Sequence, residues 1–317
     1  MSNKGNCGLV NLSNTCYLNS ILQTFFNNIY IKKYILSNQY KINNNFQENL
    51  IIELDKLVKN VWEENSIILP KSFIQTLSNI TKQNLNEQND PDEYYEKIIN
   101  RFYEETATSI NNDNLQTDVQ TKEWNKYFNN KTSFIQDLYY GQYKSETLCC
   151  SCNNKSVVYE PFITIKLELN HNNLLNCLKK HLSWENNIES KCDKCNITTK
   201  FKKRFTLINL PNTLIFTLKR YNNFMQKNDI SINFPFLFEI DSNKYELTSI
   251  INHYGYCLEH GHYTTFSKNN IDKKWYEYDD KDISSININN INKSYIYMLF
   301  YTKILNKLIY LYIIYYI

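Results

Sequence analysis

Two Cys-x-x-Cys pairs restrict the possible fold more than any other feature of this sequence. Cys149 and Cys152 form the first pair and Cys192 and Cys195 the second, with 39 residues between the pairs. Four thiolates arranged in this way suit a tetrahedral zinc ion, and four cysteine ligands leave no open position for catalysis. We therefore predict one structural zinc ion that ties two strands of a ribbon together. Cys150 is not a predicted ligand, because only Cys149 and Cys152 have the two-residue gap.

The charge and the cysteine content indicate the compartment. The net charge of +3 is close to balance, which does not predict nucleic acid or an anionic membrane as the main partner. The first residues, MSNKGNCGLV, lack the apolar core of a secretory signal. Nine cysteines in such a chain predict a reducing, intracellular setting, cytoplasmic and/or nuclear. The basic run KFKKR at 200–204 suggests a zinc-ribbon nucleic-acid binder instead, but it is short and the overall charge is balanced.

The apolar end of the chain raises the question of a membrane anchor. Residues Leu308–Ile317 are uninterrupted apolar and aromatic sequence. This segment is well short of the roughly 20 residues that a spanning helix needs. The sequence therefore predicts no membrane span. A final strand or a packed tail is favoured, and a weak contact with a membrane surface stays open.

Hydrophobic periodicity changes along the chain. Apolar residues at helical spacing predict helices early in the sequence, whereas alternating or continuous β-rich runs follow after about residue 130. The polar stretch Thr106–Asn130 is predicted to be a surface excursion. Helices first and strands second indicate an α+β protein with two lobes. The predicted helices are 15–30, 47–62, 71–80 and one that begins at Pro91, and the predicted strands are Ser156–Tyr159, Phe162–Leu169, Thr213–Leu218 and Tyr295–Tyr301.

The segment GLVNLSNTCYLNS at 8–20 contains a candidate nucleophile. Cys16 falls in the first turn of the predicted helix, where free N–H groups and the helix dipole lower a thiol pKa. Asn11, in the preceding loop, has an amide that can donate to an oxyanion. The local sequence alone favours a small buried cysteine and a capping asparagine, since free cysteines are often buried.

A second candidate segment is LEHGHYTTFSKNNIDKKWYEYDD at 258–280, which reads as a hairpin. A turn centred between Asn270 and Ile271 would place His262 directly opposite Asp279, at roughly 5 Å between Cβ atoms. A carboxylate beside an imidazole fixes its tautomer and stabilises the imidazolium. A slip of one residue would bring Asp280 there instead. Two further readings stay open: His260 and His262 as metal ligands, and the two aspartates as a solvated strand end.

In order, these segments resemble the ubiquitin-specific proteases, a papain-like family of deubiquitinating enzymes. GLVNLSNTCYLNSILQ is similar to the cysteine box of that family, and QNDPDEYYEKII at 88–99 to its acidic box. The two Cys-x-x-Cys pairs follow, then LPNTLIFTLKRYN at 210–222 and INFP at 232–235. HYGYCLEHGHY and WYEYDD resemble the histidine box and its acidic partner. The resemblance covers almost the whole chain.

The resemblance implies a papain-like fold with a helical thumb, a β palm and zinc-ribbon fingers that grip ubiquitin. The catalytic domain would be 5–303, with the thumb at about 5–130, the fingers and palm at about 131–303, and an apolar tail of unknown role at 304–317. It implies Cys16 as nucleophile, His262 as general base and acid, and Asp279 as the residue that orients His262. Asn11 would donate to the oxyanion.

The resemblance also implies contacts with the extended tail of ubiquitin. Asp90 and Glu93 would bind its arginines, and Gly261 and Tyr263 would wall a tunnel that admits only Gly-Gly. The sequence also predicts Asp90 as N-cap of the helix that begins at Pro91, with Glu93 as the reciprocal capping-box acid, and one carboxylate cannot fully serve both roles.

The expected activity is that of a thiol protease that hydrolyses the isopeptide bond after the last glycine of ubiquitin. Alternatives are a ubiquitin-binding pseudoenzyme and a protease for a ubiquitin-like modifier. One departure from the family pattern lies beside the nucleophile, where Ser13 replaces the usual glycine. If this position needs a positive φ, serine costs stability or shifts the loop.

Overall fold

The computed structural model describes residues 4–37, 40, 42, 46–63, 67–85, 87–110, 118–221, 226–257 and 260–304. Helices and sheets are both extensive, so the predicted α+β class is confirmed. The apolar segment Leu308–Ile317 lies outside the described residues. In the described part of the chain, no helix is long and apolar enough to cross a bilayer.

A helical lobe comes first in the chain. Its central element is the first helix, whose twelve residues are all buried between the other helices and a large sheet. A predicted single helix over 15–30 is wrong, because Asn28 is extended and its side chain accepts the N–H groups of Tyr30 and Ile31. The helices of the lobe are α1 (Cys16–Asn27), α2 (Ile29–Leu36), α3 (Leu50–Glu63), α4 (Lys71–Thr81), α5 (Pro91–Thr106), α6 (Val119–Tyr127) and α7 (Phe134–Tyr139).

The predicted surface excursion between Thr106 and Asn130 contains regular structure. A two-stranded antiparallel sheet of β1 (Thr108–Ser109) and β2 (Lys131–Thr132) joins its two ends, and α6 lies between them. None of the residues of α6 is buried, so this helix lies at the surface, whereas Phe128, directly after it, is buried. Asp118 begins this helix by accepting the N–H of Thr121.

An eight-stranded palm sheet packs against α1. Its strand order is β13-β12-β11-β10-β14-β8-β5, with β9 paired to β10, and its pairs are antiparallel except that of β5 with β8. One face contributes to the core shared with the helical lobe, and the other packs on α8 (Leu174–His181). The strands are β5 (Thr164–Glu168), β8 (Thr213–Lys219), β9 (Leu237–Ile240), β10 (Asn243–Cys257), β11 (His260–Lys268), β12 (Trp275–Asp279), β13 (Asp282–Ile286) and β14 (Ile296–Lys303).

A separate four-stranded finger sheet has the order β4-β3-β7-β6 and is antiparallel. The strand predicted over Phe162–Leu169 is divided, because the chain bends at Ile163 and passes from the finger sheet to the palm sheet. A short 3₁₀ helix, Ile288–Asn290, precedes the last palm strand. The finger strands are β3 (Gly141–Cys149), β4 (Lys155–Phe162), β6 (Glu185–Lys191) and β7 (Thr198–Asn209).

Candidate active site and metal cluster

Cys16 is the first residue of α1, and its side chain is buried. The loop before it is held by Asn11, whose Oδ1 accepts the Thr15 N–H at 3.0 Å and the Thr15 hydroxyl at 3.1 Å. Ser13 has a φ of 69° and Asn14 a φ of 51°, so both are left-handed. The loop thus needs the backbone conformation that glycine adopts most easily, at the position where this chain has serine.

His262, on β11, lies between the thiol and a carboxylate. Its Nε2 is 2.5 Å from Oδ1 of Asp279, at the end of β12, and its side chain also hydrogen-bonds to Cys16. These bonds, first to Cys16 and then to Asp279, raise the pKa of His262 to about 9 against the opposing effect of burial. The imidazole is therefore protonated at neutral pH, and its bond to Cys16 places it to exchange a proton with the thiol.

The predicted pairing of His262 directly across from Asp279 is wrong. Thr265 lies opposite Tyr278, and this register places Thr264 opposite Asp279. The turn is centred one residue later than expected, because the Asn269 N–H donates to the Lys274 carbonyl and so closes a six-residue loop at 269–274. A shift of two positions between partners keeps both side chains on one face, so His262 meets Asp279 diagonally.

Asp280 organises the site from the turn after β12. Its Oδ2 accepts from the Asn11 amide at 2.9 Å, and its Oδ1 accepts from the Asn19 amide at 2.8 Å. Its backbone carbonyl accepts the Leu9 N–H. A Cβ on Gly8 would lie 2.2 Å from the Lys281 carbonyl oxygen, so this approach of the loop to the turn requires glycine. Asp280 thus orients Asn11 and leaves the second N–H of the Asn11 amide for another acceptor.

The side chains of His262, Asp279 and Asp280 also gather closely enough to hold a cation. Nε2 of His262 is already bonded to Asp279, however, and His260 is exposed and outside this group. We therefore interpret the cluster as an acid–base pair with a supporting carboxylate.

The acidic segment begins α5 beside the cleft. Asp90 caps the helix as predicted, accepting the Asp92 N–H at 2.8 Å, and both of its oxygens accept from the Tyr297 hydroxyl at 2.9 Å. Burial, followed by the nearby Asp92, raises the pKa of Asp90 to about 6. Glu93 is 61% exposed and pairs with Lys97 at 2.7 Å, not with the backbone of Asp90.

Gly261 and Tyr263 flank His262 on β11 and contact His253 on β10. Tyr263 is buried and stacks on the His253 ring with centroids 4.3 Å apart. A Cβ on Gly261 would lie 2.4 Å from Nε2 of His253, so no side chain fits at this position. The Gly261 N–H donates to Oε1 of Gln88, on the opposite side of the cleft, at 3.1 Å.

At the far end of the finger sheet, two matching turns bring four cysteines together. The thiols of Cys149, Cys152, Cys192 and Cys195 all lie within 4.8 Å of one another, with 3.7 Å between Cys152 and Cys192. In a tetrahedral zinc–thiolate site the sulfur atoms are about 3.8 Å apart, given Zn–S bonds of about 2.3 Å. Cys150 is exposed and does not belong to the cluster. The four-cysteine cluster is therefore placed to bind a metal ion.

Each turn of this cluster is closed by a left-handed asparagine. Asn153 and Asn196 follow the second cysteine of their pairs and have φ values of 57° and 59°. The N–H of each donates to the carbonyl of the first cysteine of its pair, Asn153 to Cys149 at 3.0 Å and Asn196 to Cys192 at 2.8 Å. Asparagine tolerates this conformation better than other non-glycine residues, so the sequence after each Cys-x-x-Cys pair favours the turn.

The sequence profile of the ubiquitin carboxyl-terminal hydrolase family matches residues 7–301. The chain is a member of this family. Ubiquitin carboxyl-terminal hydrolase 2 of Homo sapiens is 26% identical over 337 residues, which cover 95% of this chain and 55% of the relative. The enzyme of the same name from Gallus gallus is 28% identical over 94% of this chain and 93% of its own length. The chain thus spans about half the length of the human relative.

Solved structures give the same fold. A yeast SAGA deubiquitinase module superimposes with a TM-score of 0.76 at 26% identity, over 95% of this chain and 69% of the matched chain. The SAGA deubiquitinase module bound to ubiquitin aldehyde has a TM-score of 0.72 at 25% identity, over 95% and 70%. The ubiquitin-specific protease fold expected from the sequence is therefore confirmed.

The sequence alone does not predict the contacts of two residues at the site, Asp280 and Gln88. The sequence predicts Asp280 either as a substitute for Asp279 or as part of a solvated strand end, whereas in the structure Asp279 meets His262 and Asp280 binds the Asn11 amide. Gln88 begins the acidic box, yet no charge or spacing distinguishes it from other polar residues. Only the register of β11 against the acidic box reveals its bond to Gly261.

Proposed function

We propose that this chain is a deubiquitinating thiol protease that hydrolyses the isopeptide bond after the C-terminal glycine of ubiquitin on modified proteins. The observation that carries the proposal is the contact of Cys16 with His262, whose Nε2 meets Asp279 at 2.5 Å. Family membership supports this activity, and one structural neighbour binds ubiquitin aldehyde.

In the proposed reaction, the Cys16 thiolate attacks the carbonyl carbon of the last glycine. The positive end of α1 and the Asn11 amide stabilise the oxyanion. Collapse of this intermediate breaks the C–N bond while His262 gives its proton to the departing lysine amine. Water then attacks the thioester and passes a proton to His262, and the C–S bond breaks to restore the thiolate. Asp279 orients the imidazole throughout.

We further propose that Asp90 and Glu93 bind the arginines of the ubiquitin tail. Glu93 is exposed on the first turn of α5, and Asp90 retains free lone pairs beside its bonds to Asp92 and Tyr297. Gly261 and Tyr263 would form the palm side of the channel, where no side chain at 261 can intrude. Both carboxylates lie at the N-terminal end of α5, Asp90 as its N-cap and Glu93 in its first turn.

The four-cysteine cluster is proposed to hold one structural zinc ion. When bound, the ion would clamp the turn after β3 to the turn after β6 and take no part in the reaction. The fingers would then hold the body of ubiquitin while its tail enters the cleft. All nine cysteines are free of disulfides, which supports the proposed reducing, intracellular setting.

Cleavage of isopeptide-linked substrates tests the function. The wild-type protein should release free ubiquitin from a ubiquitin–lysine isopeptide and leave the equivalent SUMO conjugate intact, and Cys16→Ala should do neither. Reversible ubiquitin binding without cleavage would identify a pseudoenzyme. Cleavage of the SUMO conjugate alone would identify a protease for a ubiquitin-like modifier. Absence of both binding and cleavage would contradict the proposed function.

A further inference from the structure

A row of polar side chains crosses the palm sheet beside His262. Asn252 on β10 lies directly opposite Thr264 on β11, and the register of β11 with β12 places Thr264 opposite Asp279. Directly paired residues of antiparallel strands share one face of the sheet, with Cβ atoms roughly 5 Å apart. The row therefore leads from the interior of the palm to the carboxylate that orients His262.

The two inner side chains of this row are buried, and their hydrogen-bonding groups are unused. Asn252 is fully buried, and Thr264 is 2% exposed. In the part of the chain that the structure describes, no hydrogen-bond partner meets Nδ2 or Oδ1 of Asn252 or Oγ1 of Thr264. Proteins usually satisfy such buried groups, in many cases with an ordered water. The inner end of the row therefore needs a further hydrogen-bonding molecule.

Two more polar groups face the Thr264 hydroxyl. The hydroxyl of Tyr254, on β10, and the carboxylate of Glu277, on β12, both lie close to it on the same face of the sheet. Neither completes a direct hydrogen bond to Oγ1 of Thr264. An internal water needs about three polar partners. The surroundings of Asn252 and Thr264 meet this requirement.

The neighbouring strand β14 does not satisfy Asn252, because a bulge interrupts the ladder there. The pairing of β10 with β14 shifts between Ile251 and Asn252, with Tyr297 as the extra residue of β14. Such bulges disrupt the local ladder and are frequent next to active sites. The Tyr297 hydroxyl donates to Asp90 and does not bond to Asn252. The Asn252 amide is thus left for a partner other than β14.

We propose that Asn252 and Thr264 are positioning residues that hold one internal water against Asp279. The water accepts an N–H of the Asn252 amide and donates one hydrogen to the Thr264 hydroxyl and the other to Oδ2 of Asp279. Since Oδ1 of Asp279 is bonded to His262, the water fixes the carboxylate through its second oxygen. The inference rests on the proposed function, because it assigns a supporting role in the same reaction.

The protonation of His262 reports on this support. The titratable groups that act on His262 are Cys16 from α1, Asp279 and Glu277 from β12, and His253 from β10. The bonds to Cys16 and then to Asp279 hold the pKa of His262 at about 9. Of these groups, the water contacts Asp279. Loss of the water should therefore weaken the bond to Asp279 and lower the pKa of His262, which a change in fold stability alone would not do.

Substitutions can remove the hydrogen-bonding groups of the row with little change in shape. Thr264→Val removes the hydroxyl and keeps the volume, Thr264→Ser keeps the hydroxyl, and Asn252→Ala removes the amide. Thr302→Val is the matched control, because Thr302 is also a buried threonine of the palm sheet and bonds to Thr248 at 3.0 Å. It lies about 20 Å along β14 from Ile296, the residue opposite Asn252.

The experiment combines three measurements on the full chain. They are steady-state kinetics on a fluorogenic C-terminal amide of ubiquitin, an NMR titration of the His262 imidazole, and a high-resolution crystal structure. The His262 signal is identified by its loss in His262→Asn.

Thr264→Val and Asn252→Ala should lower kcat by about tenfold, the equivalent of one hydrogen bond, and leave KM unchanged. In both variants the pKa of His262 should fall from about 9 toward the ordinary value of 6.5. Thr264→Ser should retain most of kcat and the raised pKa, and Thr302→Val should match the wild type. The crystal structures should show the water in the wild type and in Thr264→Ser, and not in Thr264→Val.

Three results would overturn the inference while the proposed function stands. One is a normal kcat and a normal His262 pKa in Thr264→Val. Another is an equal loss of kcat in Thr264→Val and Thr302→Val, which would indicate general destabilisation. The third is a wild-type crystal structure without a water between Asn252, Thr264 and Asp279. Because the titration and the crystal structure need no turnover, they also test the inference if the wild-type protein cleaves no ubiquitin substrate, a result that would contradict the proposed function separately.

Discussion

The finger cluster and the catalytic cleft assemble their side chains in different ways. Each half of the cluster comes from one short turn, so four thiols meet as soon as two neighbouring strand ends meet. The cleft joins Cys16 from the start of the chain to His262 and Asp279 near its end, through the packing of α1 on β11. The cluster therefore depends on local turn geometry, whereas the cleft depends on a helix position and a strand register.

This difference predicts that the two regions fail separately. Substitutions in the cleft should abolish catalysis, and they should leave metal binding by the four-cysteine cluster and the affinity for ubiquitin unchanged. Substitutions in the four-cysteine cluster should weaken the affinity for ubiquitin and leave the rate of cleavage of a short tail peptide unchanged. Substitutions with matched controls test each half of this statement.

The largest effect is expected from Asp279→Asn. Loss of the carboxylate should reduce kcat by about 100-fold or more, because the imidazole loses its orientation and the support of its charge. The alkaline limb of the pH–rate profile should move from near pH 9 toward the ordinary histidine value of 6.5, since the bond to Asp279 helps to keep His262 protonated. Kinetics of a fluorogenic ubiquitin amide across pH measure both effects. Asp282→Asn, opposite Asp279 on β13, is the control and should behave as wild type.

The cluster is tested by comparing Cys152→Ser with Cys150→Ser. The first should lose bound zinc and raise KM for ubiquitin by about tenfold, because three thiolates no longer hold the two turns together. The second should keep about one zinc per chain, since Cys150 is exposed and outside the cluster. Elemental analysis measures the zinc content of each variant, and steady-state kinetics measure its KM for ubiquitin. Loss of activity on a short tail peptide in Cys152→Ser would contradict the separation of the two regions.

Recognition of the tail should depend on the charge of Asp90. Its pKa of about 6 means that the carboxylate is ionised above pH 6 and becomes neutral as the pH falls through that value. KM for ubiquitin should therefore rise below pH 6, while Asp90→Asn should raise KM by about tenfold and remove this pH dependence. An acidic rise in KM that persists in Asp90→Asn would assign it to another group.

The smallest effect is expected in the loop before the nucleophile. Ser13→Gly should raise the free energy of unfolding by about 1 kcal/mol, because serine is strained at a φ of 69°. Asn14→Gly should gain less, since asparagine tolerates the left-handed region. Thermal unfolding of both variants gives the comparison. Equal increases in the free energy of unfolding of the two variants would contradict the assignment of greater backbone strain to Ser13 than to Asn14.

Features that depend on neighbouring residues can be predicted from the sequence, whereas the register between distant strands cannot. The Cys-x-x-Cys pairs, the start of α1 near Cys16 and the Asp90 cap with Pro91 depend on neighbouring residues, and the structure has each of them. The helix break at Asn28 was missed because the apolar periodicity continues across it, although the Asn28 side chain caps α2.

The pairing of His262 with Asp279 shows the limit for the site. Hairpin symmetry gave the correct face and the wrong opposite residue, because the turn geometry around Asn269 is not encoded in apolar alternation. The roles of Asp280 and Gln88 depend on contacts between segments far apart in the chain. Such contacts follow from the packed fold and have no periodic signal in the sequence.

The most direct test of the account asks which of the nine cysteines attacks the ubiquitin tail. The wild-type protein is treated with ubiquitin that carries a thiol-reactive C-terminal group, and the adduct is located by intact-mass and peptide mass spectrometry. A single adduct at Cys16, absent in Cys16→Ala and retained in Cys257→Ser, is the predicted result. An adduct that persists in Cys16→Ala, or that maps to Cys257 or a cluster cysteine, would contradict the assignment of Cys16 as the nucleophile.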